Sequence, residues 1–166
     1  MKHGEQIFTN LIEENKDRIF RICCYYLADE EDRKDLYQET LLNIWKGFKS
    51  FKGEASFSTW AFRITVNTAL AFISKRKRIQ EKTMNYAKQL EQNKSKANTD
   101  SMEAVNLLHQ AISRLPLLDM IIISLVLEET TSGDIAAITG LTESNVRVRI
   151  HRAKEKLMKM MEGGEL

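Results

Sequence analysis

Helix-breaking punctuation is scarce in this chain: one proline, Pro116, and seven glycines serve 166 residues. A chain so poor in breakers has few means of making hairpin turns, and long helices are the architecture left to it. Apolar residues recur at helical spacing through 5–27, 31–49 and 57–78. The pair Asp29-Glu30 can start the second of these helices, and Ser56 or Ser58 can cap the third. The segment from Phe51 to Ser56 carries Gly53 and reads as a loop. A further helical pattern over 101–115, with Leu107, Leu108, Ile112 and Leu115, stops at Pro116. The apolar run from Leu117 to Leu127 contains β-branched residues but has no partner strand, so a buried helix is expected.

Between these segments, Gln80 to Asp100 is polar and almost empty of large apolar groups, as a linker is, with its first half open to a helical reading. The expected fold is therefore all-α, with two small helical domains over 1–78 and 101–161 joined by a flexible linker over 79–100. Hydrophobic content of 43% against 29% charged supports a packed core rather than disorder. No apolar run reaches the ~18 residues that span a bilayer. The N-terminal stretch turns acidic and amphipathic at once, unlike a signal peptide, so a soluble, cytoplasmic protein is expected.

The net charge of +2 conceals an asymmetry. From Met1 to Thr40 six Lys/Arg face ten carboxylates, whereas from Leu41 to Arg78 eight Lys/Arg face Glu54 alone. A second basic stretch, Thr142 to Met161, holds six Lys/Arg against two glutamates. Two separated basic stretches suit two separate contacts with a polyanion, although solvated helix faces would look the same on charge alone. Cys23 and Cys24 are adjacent, a poor geometry for a disulfide, and are expected as small apolar core residues. His3, His109 and His151 have no metal spacing, and neither a nucleophile–base pair nor a phosphate loop is visible. No catalytic residues, no metal and no cofactor are expected.

The most specific motif lies near the C-terminal end. Thr131 or Ser132 can cap a short helix, Ala136 allows close packing, Gly140 supplies a turn, Leu141 buries, and Thr142 caps the next helix. This is the grammar of a helix-turn-helix. On a wheel of ~100° per residue, Val146, Ile150, Ala153 and Leu157 form the core stripe of that second helix. Ser144, Asn145, Arg147, Val148, His151 and Arg152 are the candidates for contact with a major groove. Arg149 falls nearer the core edge.

These residues resemble region 4 of bacterial sigma factors, carried by Ser144 to Lys154 together with Asp134-Ile135-Ala136 and Arg114-Leu115-Pro116. Upstream, Asp35 to Thr40 resembles region 2.2, and Phe51 to Asn67 resembles regions 2.3 and 2.4. The order and spacing, without regions 1 and 3, resemble the extracytoplasmic-function group of the sigma-70 family. The resemblance implies docking on core RNA polymerase through Asp35, Gln38, Glu39, Leu42 and Trp45. It implies capture and melting of a minus-10 element by Phe51, Lys52, Ser56, Phe57, Trp60, Arg63, Asn67 and the cluster Lys75, Arg76, Lys77 and Arg78. It implies recognition of duplex minus-35 DNA by the helix-turn-helix, and control by an anti-sigma factor.

The wheel places Tyr37, Leu41, Ile44 and Phe48 on the core side of their helix, and Phe62, Val66, Ala69 and Ile73 on that of theirs. Trp45 and Trp60 could each instead be core aromatics. After Pro116 an arginine common in the family is missing, and Leu117, Leu118, Met120 and Ile121 are the remaining apolar candidates for the polymerase flap. The chain ends soon after the recognition helix, so a C-terminal sensory domain is not expected. The alternative reading is a helix-turn-helix repressor or activator that works without polymerase, as a dimer on a palindromic site.

Overall fold

The computed structural model describes the backbone of residues 2–86 and 103–162, and the side chains of 4–79 and 107–162. The described residues form seven helices and no strand: α1 (Lys2–Tyr26), α2 (Glu30–Phe48), α3 (Phe57–Tyr86), α4 (Glu103–Ser113), α5 (Leu117–Leu127), α6 (Ser132–Thr139) and α7 (Glu143–Glu162). Most of the expected linker lies outside the described residues. Its beginning does not: α3 continues as helix eight residues past Arg78, to Tyr86.

Local chemistry explains where the helices begin. Asp29 is extended, and its side chain accepts the Asp32 backbone N–H at 3.0 Å, opening α2. Ser56 Oγ accepts the Thr59 N–H at 3.1 Å, so Ser56 rather than Ser58 caps α3. Thr131 accepts from Asp134 N–H at 3.1 Å to open α6. Pro116 stands at the start of α5, where its missing N–H costs nothing.

The first half packs α1, α2 and α3 against one another. Ile19, Ile22, Leu36, Ile44 and Phe62 are fully or almost fully buried there. The expected α3 stripe holds, with Phe62, Val66 and Ala69 buried and Ile73 half-buried. On α2 the stripe is centred one position away from the expected one. Leu36, Thr40 and Ile44 are buried, whereas Tyr37, Leu41 and Phe48 are half-buried at its border. Thr40, a polar residue, reads as surface on a wheel; its hydroxyl lies 3.9 Å from Cys23 Sγ inside the core. Cys23 is itself buried, and that burial raises its thiol pKa to about 12, which leaves it an apolar core residue.

The second half packs α4, α5, α6 and α7. Helix α5 is the hydrophobic centre, buried from Asp119 to Leu125, as its apolar run requires. Met120 and Ile121 are therefore core residues and supply no surface; only Leu117, 46% exposed, remains open on that side, with Leu118 half-buried. The two halves also pack on each other, α1 against α4 and α5, and α3 against α6. No helix among the described residues is long and apolar enough to cross a membrane.

Candidate nucleic-acid interface

The helix-turn-helix is built as its sequence suggests. Gly140 closes α6 in the left-handed region at φ 76°, and its N–H returns to the Ala136 carbonyl at 2.8 Å. Thr142 Oγ1 accepts from the Asn145 N–H at 3.3 Å and starts α7. Val146, Ala153 and Leu157 are buried and Ile150 is half-buried, which anchors one side of α7. Ser144, Asn145, Arg147, Val148, His151 and Arg152 are all exposed on the other side. Arg147 is held to Glu143 one turn back, and His151 lies 3.7 Å from Glu155. Both pairs are exposed, so they bias rotamers more than they stabilise the helix.

Arg149 does not belong to that outer face. Its Nη1 donates to Asp119 Oδ1 at 2.7 Å, and Lys156 Nζ lies 3.9 Å from Asp119 Oδ2. Asp119 is only 7% exposed. It ties α7 to α5 and sets how the recognition helix stands on its core. The sequence shows an acidic residue inside an apolar run, but nothing local reveals its partner 30 residues away.

The first half offers a different surface. Phe51 and Trp60 are half-buried, with ring centroids 5.0 Å apart. Phe57 lies beneath them, 5.8 Å from Phe51 and 5.6 Å from Trp60. At 8% exposure Phe57 presents no ring to a nucleic acid; it supports the two rings above it. The first residue of a helix next to a core stripe is covered by the turn it starts. Beside these rings is a cleft of about 320 Å³, lined by Ser50, Phe51, Lys52, Glu54, Ala55, Thr59, Trp60 and Arg63, and from α6 by Ala137 and Ile138. Gly47 lets Trp60 lie against α2: a Cβ there would stand 3.2 Å from Trp60 Cζ2.

Lys52, Ser56, Arg63 and Asn67 are exposed. So are Lys75, Lys77 and Arg78, but Arg76 turns back to pair with Asp32 on α2 and acts as a brace between helices. The third expected patch is exposed throughout: Asp35, Gln38 and Glu39, with Leu42 at 50% and Trp45 at 45%. Phe8 of α1 packs edge-on to Trp45 with centroids 4.7 Å apart, extending this patch onto a helix that sequence reasoning left out of it. Only the amphipathic pattern of α1 hinted at it. No group of His, Cys, Asp or Glu suited to a metal ion occurs among the described residues.

A bracing helical half followed by a capped helix-turn-helix with an exposed polar face defines an all-α nucleic-acid-binding protein. Two family profiles match it: Sigma-70 region 2 over residues 11–79, and Sigma-70, region 4 over residues 106–157. RNA polymerase sigma factor SigV of Bacillus subtilis is 27% identical over 158 residues, covering 93% of this chain and 90% of that protein. The ECF RNA polymerase sigma factor SigW of the same organism is 26% identical over 179 residues, with 97% and 92% covered. Among solved structures, the sigma factor RpoE in complex with the anti-sigma factor NepR from Bartonella quintana shares the fold at a TM-score of 0.71. Its identity is 21%, with 98% of each chain covered. CnrH in complex with the cytosolic domain of CnrY gives a TM-score of 0.73 at 17% identity, covering 96% of this chain and 90% of that one. The chain belongs to the sigma-70 family, in its extracytoplasmic-function group.

Proposed function

We propose that this protein is an alternative sigma factor that binds core RNA polymerase and directs initiation at a particular class of promoter. The observation that carries this is the order of the two sigma-70 regions along one chain, the second holding a recognition helix whose outer face is open. The work is done by binding free energy, not by catalysis. Residues 1–78 hold polymerase through Asp35, Gln38, Glu39, Leu42 and Trp45, an acidic rim around two exposed apolar groups of the kind that anchors protein interfaces. The cleft beside Phe51 and Trp60 takes an unpaired base of the minus-10 element by stacking. Lys52, Arg63, Lys75, Lys77 and Arg78 supply phosphate contacts, which position DNA without reading it.

Residues 101–161 read duplex minus-35 DNA. Arg147 and Arg152 address guanine edges or phosphates, Val148 a thymine methyl, and Ser144, Asn145 and His151 polar base edges or the backbone. Residues 79–100 connect the two grips. Regulation comes from an anti-sigma factor, the kind of partner with which one structural neighbour, RpoE, was solved. The site of action is the cytoplasm, where polymerase and DNA are.

Reconstituted transcription with purified core polymerase tests the reading. Promoter-specific transcripts that depend on this protein are the expected result. Tight dimeric binding to a palindromic duplex without polymerase, and no transcript on any genomic template, would replace it with a conventional helix-turn-helix regulator.

A further inference from the structure

The seam between the two halves contains an ion pair built on a buried carboxylate. Glu128, at the C-terminal end of α5, is 3% exposed, and the partners of its carboxylate come from α1 in the other half. Arg21 grips it as a fork, Nε to Oε1 and Nη2 to Oε2, both at 2.8 Å. Arg18 donates from Nη2 to the Glu128 main-chain carbonyl, places Nε 3.8 Å from Oε2, and lays its guanidinium 4.8 Å from the centre of the Phe62 ring. Glu128 and these arginines are 107 to 110 positions apart in sequence. Bidentate arginine–carboxylate geometry combines strength with direction, and holds one docking angle rather than a range.

A second cross-bond fixes α6 over α3. Thr59 Oγ1 donates to Asp134 Oδ1 at 2.9 Å, while Thr131 Oγ1 holds the other carboxylate oxygen at 2.7 Å. The consequence is positional. Ala137 and Ile138 of α6 form one wall of the cleft whose other wall is Phe51, Trp60 and Arg63. In this arrangement the second half lies across the cleft.

The seam is suited to release. Its strongest contacts are charged groups that regain hydration on separation, so their desolvation cost in the closed state offsets much of their attraction. Arg21, with its side chain 53% exposed, remains within reach of salt and of competing anions.

We propose that Arg18, Arg21 and Glu128 form an intramolecular latch that holds the free protein closed, with α6 covering the cleft beside Trp60. The consequence for promoter opening, that the latch must release before a base can enter, rests on the function proposed above.

The test uses the full chain carrying Trp45→Phe, so that Trp60 is the only indole. Small-angle scattering reports the separation of the halves, and acrylamide quenching reports the cover over Trp60. The latched protein should scatter with a radius of gyration near the ~15 Å of a compact chain of this length. Arg21→Ala, and separately Glu128→Gln, should raise that radius by several ångströms and quench Trp60 more strongly, with helical circular dichroism unchanged. Raising NaCl to about 0.5 M should do the same to the parent and add little to the variants. Identical scattering and quenching in parent and variants would overturn the latch. Expansion without greater quenching would overturn α6 as the cover. Expansion with greater quenching, but with no gain in affinity for a single-stranded minus-10 oligonucleotide, would support the latch and refute the base-capture reading of the cleft.

Discussion

Two aromatic neighbours, Phe57 and Trp60, show how burial divides labour between residues. Phe57 is 8% exposed beneath the cleft, so Phe57→Ala removes a ring from a packed site and should cost about 3–5 kcal/mol in urea unfolding. Trp60 is half-buried at the cleft wall. Trp60→Ala should cost less stability, but should slow promoter opening, read as permanganate reactivity of unpaired thymines, more than it weakens the closed complex. Unchanged opening would remove the stacking role. Asp119 is a residue-scale case of a different kind. Asp119→Ala strips a nearly buried carboxylate from Arg149, which is itself part-exposed, so the loss should stay near 1–3 kcal/mol rather than the larger cost of orphaning a fully buried charge. A melting point unchanged by that substitution would show that α7 stands on α5 by apolar packing alone.

At the scale of an element, α7 separates a buried stripe from an exposed one so cleanly that its two functions should be separable by mutation. Arg147→Ala combined with Arg152→Ala leaves Val146, Ala153 and Leu157 in place. Binding to a minus-35 duplex should fall by 10-fold or more, since each good contact is worth ~1–3 kcal/mol, while affinity for core polymerase is retained. An equal loss of both would contradict the division between halves. The turn before α7 can be probed without touching DNA. A Cβ at Gly140 would meet nothing within 4 Å, so the cost of Gly140→Ala comes from its positive φ alone, about 1 kcal/mol in chemical denaturation. A much larger cost would mean that the turn is also packed against something. The cap grammar before α7 was legible in the sequence, down to the choice between Thr131 and Ser132 that the structure settles on Thr131, because caps and turns are settled within three or four residues.

For the whole molecule, pH should act on the seam through His109. Its ring lies 5.0 Å from Tyr25 of α1, and its pKa is lowered, first by burial and then by the positive charge of Arg33. The closed state therefore disfavours the protonated ring. Above the ordinary histidine pKa of 6.5 both open and closed forms are neutral and nothing is lost. As pH falls from there through the lower value of the closed state, the open form binds the proton more readily and closure weakens. Scattering at pH 5.5 should show a more expanded protein than at pH 7.5, and His109→Phe should flatten the difference. A pH response that survives that substitution would place the titrating group elsewhere.

Features under local physical control are legible in the amino-acid order alone. Helical periodicity, caps, the single proline and the glycine turn specify which segments are helices and where the helix-turn-helix begins, and the basic stretches show where positive charge concentrates. That order also separates the exposed face of α7 from its core, because that face repeats within one element. What covers each face depends on how distant helices pack. Periodicity reports that a stripe is apolar and does not say which helix lies on it. For that reason the α2 core is centred on Leu36 and Thr40, Phe57 is a floor rather than a contact, and Arg76 is a brace to Asp32. The meeting of Arg18 and Arg21 with Glu128 leaves no trace in either segment read alone. A charge on a wheel reads as solvated, and only the packing of two distant helices turns it into a buried partner.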